Sequence, residues 1–117
     1  WADHPCCVVV MSDDIIDKHP DSVQEFTHSL VKSGIAASAK PSAASVVGAP
    51  FLSQEQSLVE TVLTDPPDRI TTNRLFPVIE DLVAIQDYML DEMGLLKGKN
   101  DMKKLVDTRF AEAAEAK

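Results

Sequence analysis

The sequence predicts a mainly α-helical chain, with one β-strand near its N-terminal end and five to seven helices after it. The continuous apolar run from Cys6 to Met11 is typical of a strand buried on both faces, because it lacks polar alternation and is rich in valine. Between Val78 and Met93, apolar residues instead recur every three or four positions, which indicates an amphipathic helix. Prolines and small polar residues divide the intervening chain into shorter helices.

The predicted strand Cys6–Met11 has no convincing partner elsewhere in the 117 residues. Because every backbone N–H and C=O of a buried strand needs a partner, we expect it to pair with a second copy or with a sheet formed by sequence preceding Trp1. Adjacent strand residues point to opposite faces, so a bond between Cys6 and Cys7 would distort the strand. We therefore expect two buried, free thiols.

Two helices are expected directly after the strand. Ser12 is a suitable N-cap for a short helix that ends at Lys18, and acidic residues occupy its first turn. Pro20 suits the first position of a second helix, which we extend to Ala39. The predicted apolar face of this second helix consists of Val23, Phe26, Leu30, Val31 and Ile35.

Two more short helices are expected before residue 68. The first begins near Pro41, is closed by Gly48 and Pro50, and has an apolar side formed by Ala43, Val46 and Val47. The segment Ser53–Gln56 fits a capping box. The helix after it is predicted to bury Leu58, Val59, Val62 and Leu63, and Asp65-Pro66-Pro67 stops it.

Residues Asp68–Phe76 lack a helical period and predict an extended connection over the surface. Pro77 then begins the most strongly amphipathic helix, and Gly94 stands where a left-handed C-terminal cap is expected. Asn100 is predicted to cap a short segment, and Asp107 to cap a final helix.

The composition indicates one soluble-type domain without a polyanionic partner. Hydrophobic residues make up 44% and charged residues 26%, which is typical of a folded chain of this length. A net charge of −8 disfavours nucleic acid and anionic membrane surfaces, since both are bound through excess Lys and Arg.

The sequence offers no pattern typical of an enzyme, a cofactor or a metal site. His4, Cys6 and Cys7 form a single ligand cluster, whereas structural zinc sites need two clusters separated by a loop. A nucleophilic thiolate with His4 as its base is disfavoured in a strand that is expected to be buried. No glycine-rich phosphate loop, GxSxG or HExxH motif is present.

Three segments carry a resemblance to a known family. HPCCVVV, then HPDSVQEFTHSLVKSG after a short helix, and finally LFPVIEDLVAIQDYMLDEMGLLKGKNDMKKLVDTRFAEAA occur in this order. Together they resemble the C-terminal part of solute-binding proteins of ABC importers, of the nitrate/sulfonate/taurine/bicarbonate class. The resemblance covers nearly the whole chain, and its order and spacing are more specific than any single motif.

The resemblance implies that the chain is the C-terminal portion of a two-lobed α/β periplasmic binding protein. Residues 1–11 would be a crossover strand beside the hinge, and residues 12–117 would be helices that pack on the first lobe. His4 and Cys6 are then the candidate ligand contacts. The implied partners are a small anionic solute and an ABC permease. The implied location is the periplasm or the outer face of the cytoplasmic membrane, with a lipid anchor left open.

Two other functions remain open. The chain could be a free-standing helical interaction module whose Val78–Met93 face docks a partner helix. A small hydrolase or redox enzyme that uses Cys6 or Cys7 is the least favoured alternative. For the chain in isolation, we expect self-association through the segment Cys6–Met11.

Overall fold

The structure is a computed structural model in which residues 5–116 are described, and these residues form seven α-helices and no β-strand. The mainly α-helical class is therefore confirmed. In chain order the helices are α1 (Asp13–Lys18), α2 (Pro20–Ala39), α3 (Pro41–Leu52), α4 (Gln56–Thr64), α5 (Ile79–Asp91), α6 (Met102–Leu105) and α7 (Arg109–Ala113).

The predicted N-terminal strand is wrong. Residues 5–12 have no regular secondary structure, and Val8, Val9 and Val10 are all exposed, Val10 to 85%. Valine favours strands only where a neighbouring strand covers its side chain and pairs its backbone. No such neighbour exists among the described residues, so the apolar run stays uncovered.

Helix α2 is the centre of the helical packing, since α1, α3 and α7 all contact it. Both of its predicted ends are confirmed, with Pro20 in the first turn. Its apolar face is only half covered, because Val23 and Val31 are buried while the other three predicted members of the face are exposed. The exposed three are Phe26, Leu30 and Ile35.

Helices α3 and α4 pack against each other as a hairpin. Helix α3 continues through Gly48 and Pro50 to Leu52, contrary to the expected earlier stop, because a proline near the C-terminal end removes only one helical N–H. It buries Ser45 and Ala49 instead of the predicted valines.

The predicted capping box between the two helices of this hairpin is also wrong. Ser53 ends α3 in the left-handed region with φ of 52°, so it cannot cap the next helix. Glu55 is the residue that precedes α4, and its side chain makes no capping bond. The predicted end of α4 before Asp65 is confirmed.

The connection between α4 and α5 does not simply run over the surface as expected. Thr72 Oγ1 donates a hydrogen bond of 2.9 Å to the Gly34 carbonyl oxygen of α2. A few residues later, Leu75 packs against a small core formed by Val31, Ala111, Ala114 and Ala116. The connection therefore ties the C-terminal half of the chain to the middle of α2.

The last three helices follow the predicted order with shifted ends. Helix α5 begins at Ile79, two residues after Pro77, and Gly94 adopts the predicted left-handed conformation with φ of 62°. Asp101, not Asn100, caps α6, and its Oδ1 accepts from the backbone N–H of Lys103 at 3.1 Å.

Candidate interaction surface

The predicted ligand contacts do not form a pocket among the described residues. His4 lies outside residues 5–116, so its placement is not described. Cys6 and its neighbour Cys7 are free and exposed, contrary to the expected burial, and their Sγ atoms lie 3.8 Å apart. Neither cavity described below is lined by Cys6.

The Cys6 thiol influences the protonation of the neighbouring Cys7 thiol. A hydrogen bond to Cys6 raises the pKa of the Cys7 thiol, and the charge of Cys6 and a slight desolvation act in the same direction. Because the thiolate is the reactive form of cysteine, a raised pKa makes Cys7 a poor nucleophile at neutral pH.

Two cavities of about 280 Å³ each open at the surface. The first lies between the end of α2, α4 and the following connection, and its polar lining includes Ser38, Thr64, Asp68, Thr71 and Asn73. No Lys or Arg lines it, so it lacks a counter-charge for an anionic solute. The second cavity lies between α5 and α6.

Helices α5 and α6 form an arm, defined here as residues 78–106, that stands away from the other helices. Among the helices of the described chain, α5 contacts only α6. The arm is held together by Gln86, which is 4% exposed. Its Nε2 donates to the Asn100 carbonyl oxygen at 3.1 Å, and its Oε1 accepts from the Asn100 backbone N–H.

An ion pair adds to this contact within the arm. Lys99 Nζ lies 2.7 Å from Asp87 Oδ1, and a hydrogen bond to Asp87 raises the pKa of the Lys99 amine. Both side chains are substantially exposed, so solvent screening keeps the contribution of this pair to stability small. The hydrogen bonds of Gln86 are therefore the main polar contacts that hold the arm together.

One side of the arm is apolar and uncovered, and we call it the arm face. The predicted apolar residues Leu82, Ile85 and Met89 are only half-buried, because no other helix packs over them. Large side chains are also exposed elsewhere on the arm, namely Val78, Val83, Tyr88, Met93, Leu95 and Leu105.

A second uncovered apolar area lies on the α3–α4 hairpin. Phe51 is 89% exposed, and Val47, one turn earlier, is 77% exposed. Exposed phenylalanine at a helix end is costly in water, since burying such a side chain is worth about 1.5–3 kcal/mol. Val46, Leu52 and Leu58 are also exposed on this hairpin.

The total accessible surface shows how incomplete the burial is. The chain exposes 8818 Å², whereas a folded monomer of its 12.8 kDa exposes about 6,300 Å². Its radius of gyration is 16.3 Å, against about 13 Å for a compact domain of this length. The excess surface of about 2,500 Å² exceeds the roughly 800 Å² that one partner buries in a standard protein interface.

Comparisons with known proteins leave the family open. No family model matches the chain, and no significant match was found among curated proteins or solved structures. The resemblance to solute-binding proteins therefore rests on the sequence segments alone. Within residues 5–116, no helix is long and apolar enough to cross a membrane, and no group of three or more His, Cys, Asp or Glu side chains is placed to hold a metal ion.

Sequence reasoning missed the two polar contacts that organise the arm and its attachment. Gln86 lies between two half-buried residues of α5, and a glutamine in that position is a weak signal of an internal hydrogen bond. The second contact involves Gly34, an interior glycine of the 20-residue helix α2. A glycine in the middle of a long helix is also a signal of close backbone approach.

Proposed function

We propose that this chain is the C-terminal region of the solute-binding component of an ABC importer, of the nitrate/sulfonate/taurine/bicarbonate type. It would do no chemistry. It would serve a receptor that takes up a small anion or organic anion and delivers it to a membrane permease. His4 and Cys6 stay the proposed ligand contacts within the chain.

The uncovered surface is the observation that supports this proposal best. A helical region that packs on a larger body is expected to keep its outer side polar and to leave its inner side apolar. The arm face, Phe51 and the valines before α1 are all apolar and exposed, and the excess of about 2,500 Å² is large enough for such a body. The sequence resemblance indicates that this larger body is the remainder of a solute-binding protein.

The solute would be held mainly by the remainder of the receptor. The polar cavity beside α4 has no cation in its lining, and the chain carries a net charge of −8. An anion can nevertheless be bound locally by backbone N–H groups, whatever the overall charge. We infer that such N–H groups come from the rest of the receptor.

The proposal is tested on the native protein with an antibody raised against this chain. We expect a product much larger than 117 residues in the periplasmic or envelope fraction. Purified at that size, the native protein should bind one of the four solute types, and its apparent melting temperature should rise with ligand. A product of the chain's own size in the cytosol would overturn the proposal.

A second candidate function is a free-standing helical interaction module. The observation in its favour is that α5 contacts no other helix than α6 in the described chain, which leaves the arm face open to a partner helix. If the native product has the size of the chain, this candidate predicts that it migrates in a larger complex. Tyr88→Glu should release it from that complex, whereas Glu80→Gln should not, since Tyr88 is a large exposed side chain of α5 and Glu80 is an exposed acidic residue of its first turn.

A further inference from the structure

The polar cavity beside α4 has no role in the proposed transport function. It lies where the C-terminal ends of α2 and α4 meet the connection that follows α4, and its volume is about 280 Å³. Ligand cavities usually have volumes of roughly 300–1,000 Å³, so this one suits only a small molecule. The hydrogen bond from Thr72 to the Gly34 carbonyl oxygen holds one wall of the cavity against α2.

Two backbone carbonyl groups at the cavity lack their usual helical donors. Ala37 and Leu63 line the cavity from the last turns of α2 and α4, and each lies four residues before a proline. Pro41 and Pro67 have no N–H, so neither carbonyl oxygen receives the usual bond from the residue four positions later. No backbone N–H of residues 5–116 donates to either oxygen. Because the C-terminal end of a helix carries partial negative charge, both ends favour a cation at the cavity.

The side chains of the cavity add further hydrogen-bond acceptors. Thr64 Oγ1 donates its proton to the Glu60 carbonyl oxygen at 2.8 Å, and Thr72 Oγ1 donates its proton to Gly34. Both hydroxyls can then only accept a further hydrogen bond. Asp68 is the one ionisable side chain among the described residues of the lining, and its carboxylate also only accepts. The lining therefore suits a ligand that donates several hydrogen bonds and carries positive charge.

We propose that this cavity binds a small organic cation with a primary ammonium group, a role that does not depend on the proposed transport function. A primary ammonium group supplies three N–H donors and one positive charge, which match the free carbonyl oxygens, the hydroxyls and the carboxylate. The side chains of Pro41, Leu63 and Ile70 offer apolar contact to a short carbon chain.

A bare metal ion fits this cavity less well than an organic cation. A hard cation such as Ca²⁺ takes about six to eight oxygen ligands at about 2.3–2.6 Å, several of them carboxylates, and only one carboxylate lines the cavity among the described residues. The volume of about 280 Å³ is also several times the roughly 30 Å³ that one water molecule occupies in the liquid. The space and the apolar side chains therefore favour a ligand with a carbon chain.

The test titrates the full chain with butylammonium at neutral pH and follows the backbone amides by NMR. We expect the amide signals of Thr71 and Asn73 to shift along one saturable curve, while that of Gln86 in the arm does not shift. Butyrate has the opposite charge and should give no saturable shift. Asp68→Asn should weaken binding of butylammonium about five- to tenfold, because it removes the charge and keeps the shape of the side chain. Asparagine also tolerates the left-handed φ of 61° at this position, so the fold should be retained.

Asp65→Asn is the matched control, because it makes the same charge change three residues earlier, outside the cavity lining. Its affinity for butylammonium should equal that of the unaltered chain. The proposal is overturned if the two variants bind butylammonium equally tightly, since the cation would then respond at most to the net charge. It is equally overturned by shifts that do not saturate, by butanol or butyrate binding as tightly as butylammonium, or by Ca²⁺ binding more tightly at the same amides.

Discussion

Gly34 is the residue at which α2 and the connection before α5 come closest. A Cβ atom at this position would clash with the backbone carbonyl oxygen of Thr72 and would lie 2.7 Å from Leu75 Cδ1. The Thr72 side chain is hydrogen-bonded to the Gly34 carbonyl oxygen, so the backbone of the connection cannot move away without losing that bond. The glycine therefore permits the contact that attaches the C-terminal half of the chain.

Replacing Gly34 with alanine is expected to destabilise the chain. In an ordinary helix interior, Gly→Ala is stabilising by about 1 kcal/mol, because alanine has the higher helix propensity. Here overpacking against Thr72 and Leu75 should cost about 1–3 kcal/mol and reverse the sign of the change. Urea unfolding followed by circular dichroism measures the difference.

Gly98→Ala is the control for this measurement. No atom lies within 4 Å of the position of an added Cβ at Gly98, so its stability change should stay within about 0.5 kcal/mol. A Gly34→Ala variant as stable as the unaltered chain, or more stable, would show that the connection does not press against α2.

The Lys99 amine provides a second prediction at the level of single residues. Its pKa is raised, first by the hydrogen bond to Asp87 and then by the charges of Asp87 and Asp91. A lysine whose pKa is raised in the folded state contributes to stability. This contribution is complete below the ordinary lysine pKa of about 10.4, and it is lost as pH rises through the pKa of the folded state. Because both side chains are substantially exposed, loss of this pair in strongly alkaline solution should lower the stability of the arm only slightly.

Asp87→Asn should lower the pKa of the Lys99 amine toward its ordinary value, as followed by NMR titration of the lysine side chains. Asp91→Asn is the graded control, because the charge of Asp91 is the weakest of the named causes and its removal should lower the pKa less. Equal shifts in the two variants would contradict the assignment of Asp87 as the main partner.

At the scale of elements, the ends of helices could be predicted from the sequence better than the residues that pack against them. Proline, N-cap and stop signals depend on local chemistry, so both ends of α1 and α2 are as predicted. The strand at Cys6–Met11 depends on a distant partner that no local pattern reveals, and it is absent. The buried side of α3 is likewise decided by α4, which favours small Ser45 and Ala49 at the contact over the valines.

The arm depends on one buried side chain, which gives a prediction for the element as a whole. Gln86→Ala would remove both hydrogen bonds to the Asn100 backbone, and a typical hydrogen bond contributes about 0.5–1.5 kcal/mol to stability. We expect faster hydrogen exchange at the Asn100 amide, whereas exchange in α2 stays unchanged.

Gln56→Ala is the control for the arm. Gln56 is an exposed glutamine at the start of α4, far from the arm in sequence, and its replacement should leave exchange at Asn100 unaltered. If Gln86→Ala leaves the Asn100 amide as protected as before, the two hydrogen bonds do not hold the arm together.

At the scale of the molecule, the candidate ligand contact Cys6 is exposed and lines neither cavity. The charge and composition predict a folded domain. Neither property reveals that the chain has more large apolar residues than its core buries. The small core of valine and alanine around α2 and α7 is the reason that so many large side chains stay outside. A surface of this kind favours association with whatever protein surface is present.

The isolated chain is therefore expected to self-associate as its concentration rises. Three consecutive exposed valines, Val8–Val10, are not covered by any helix, and burying apolar surface is worth about 25 cal/mol per Å². Light scattering should give an average mass above that of one chain. Val9→Lys should lower it, because a charge at the contact must be desolvated.

Val47→Lys on α3 is the matched control, with the same substitution at another exposed valine, and should leave the mass unchanged. Equal effects would mean that association uses the apolar surface generally, and a monomer at all concentrations would contradict self-association altogether.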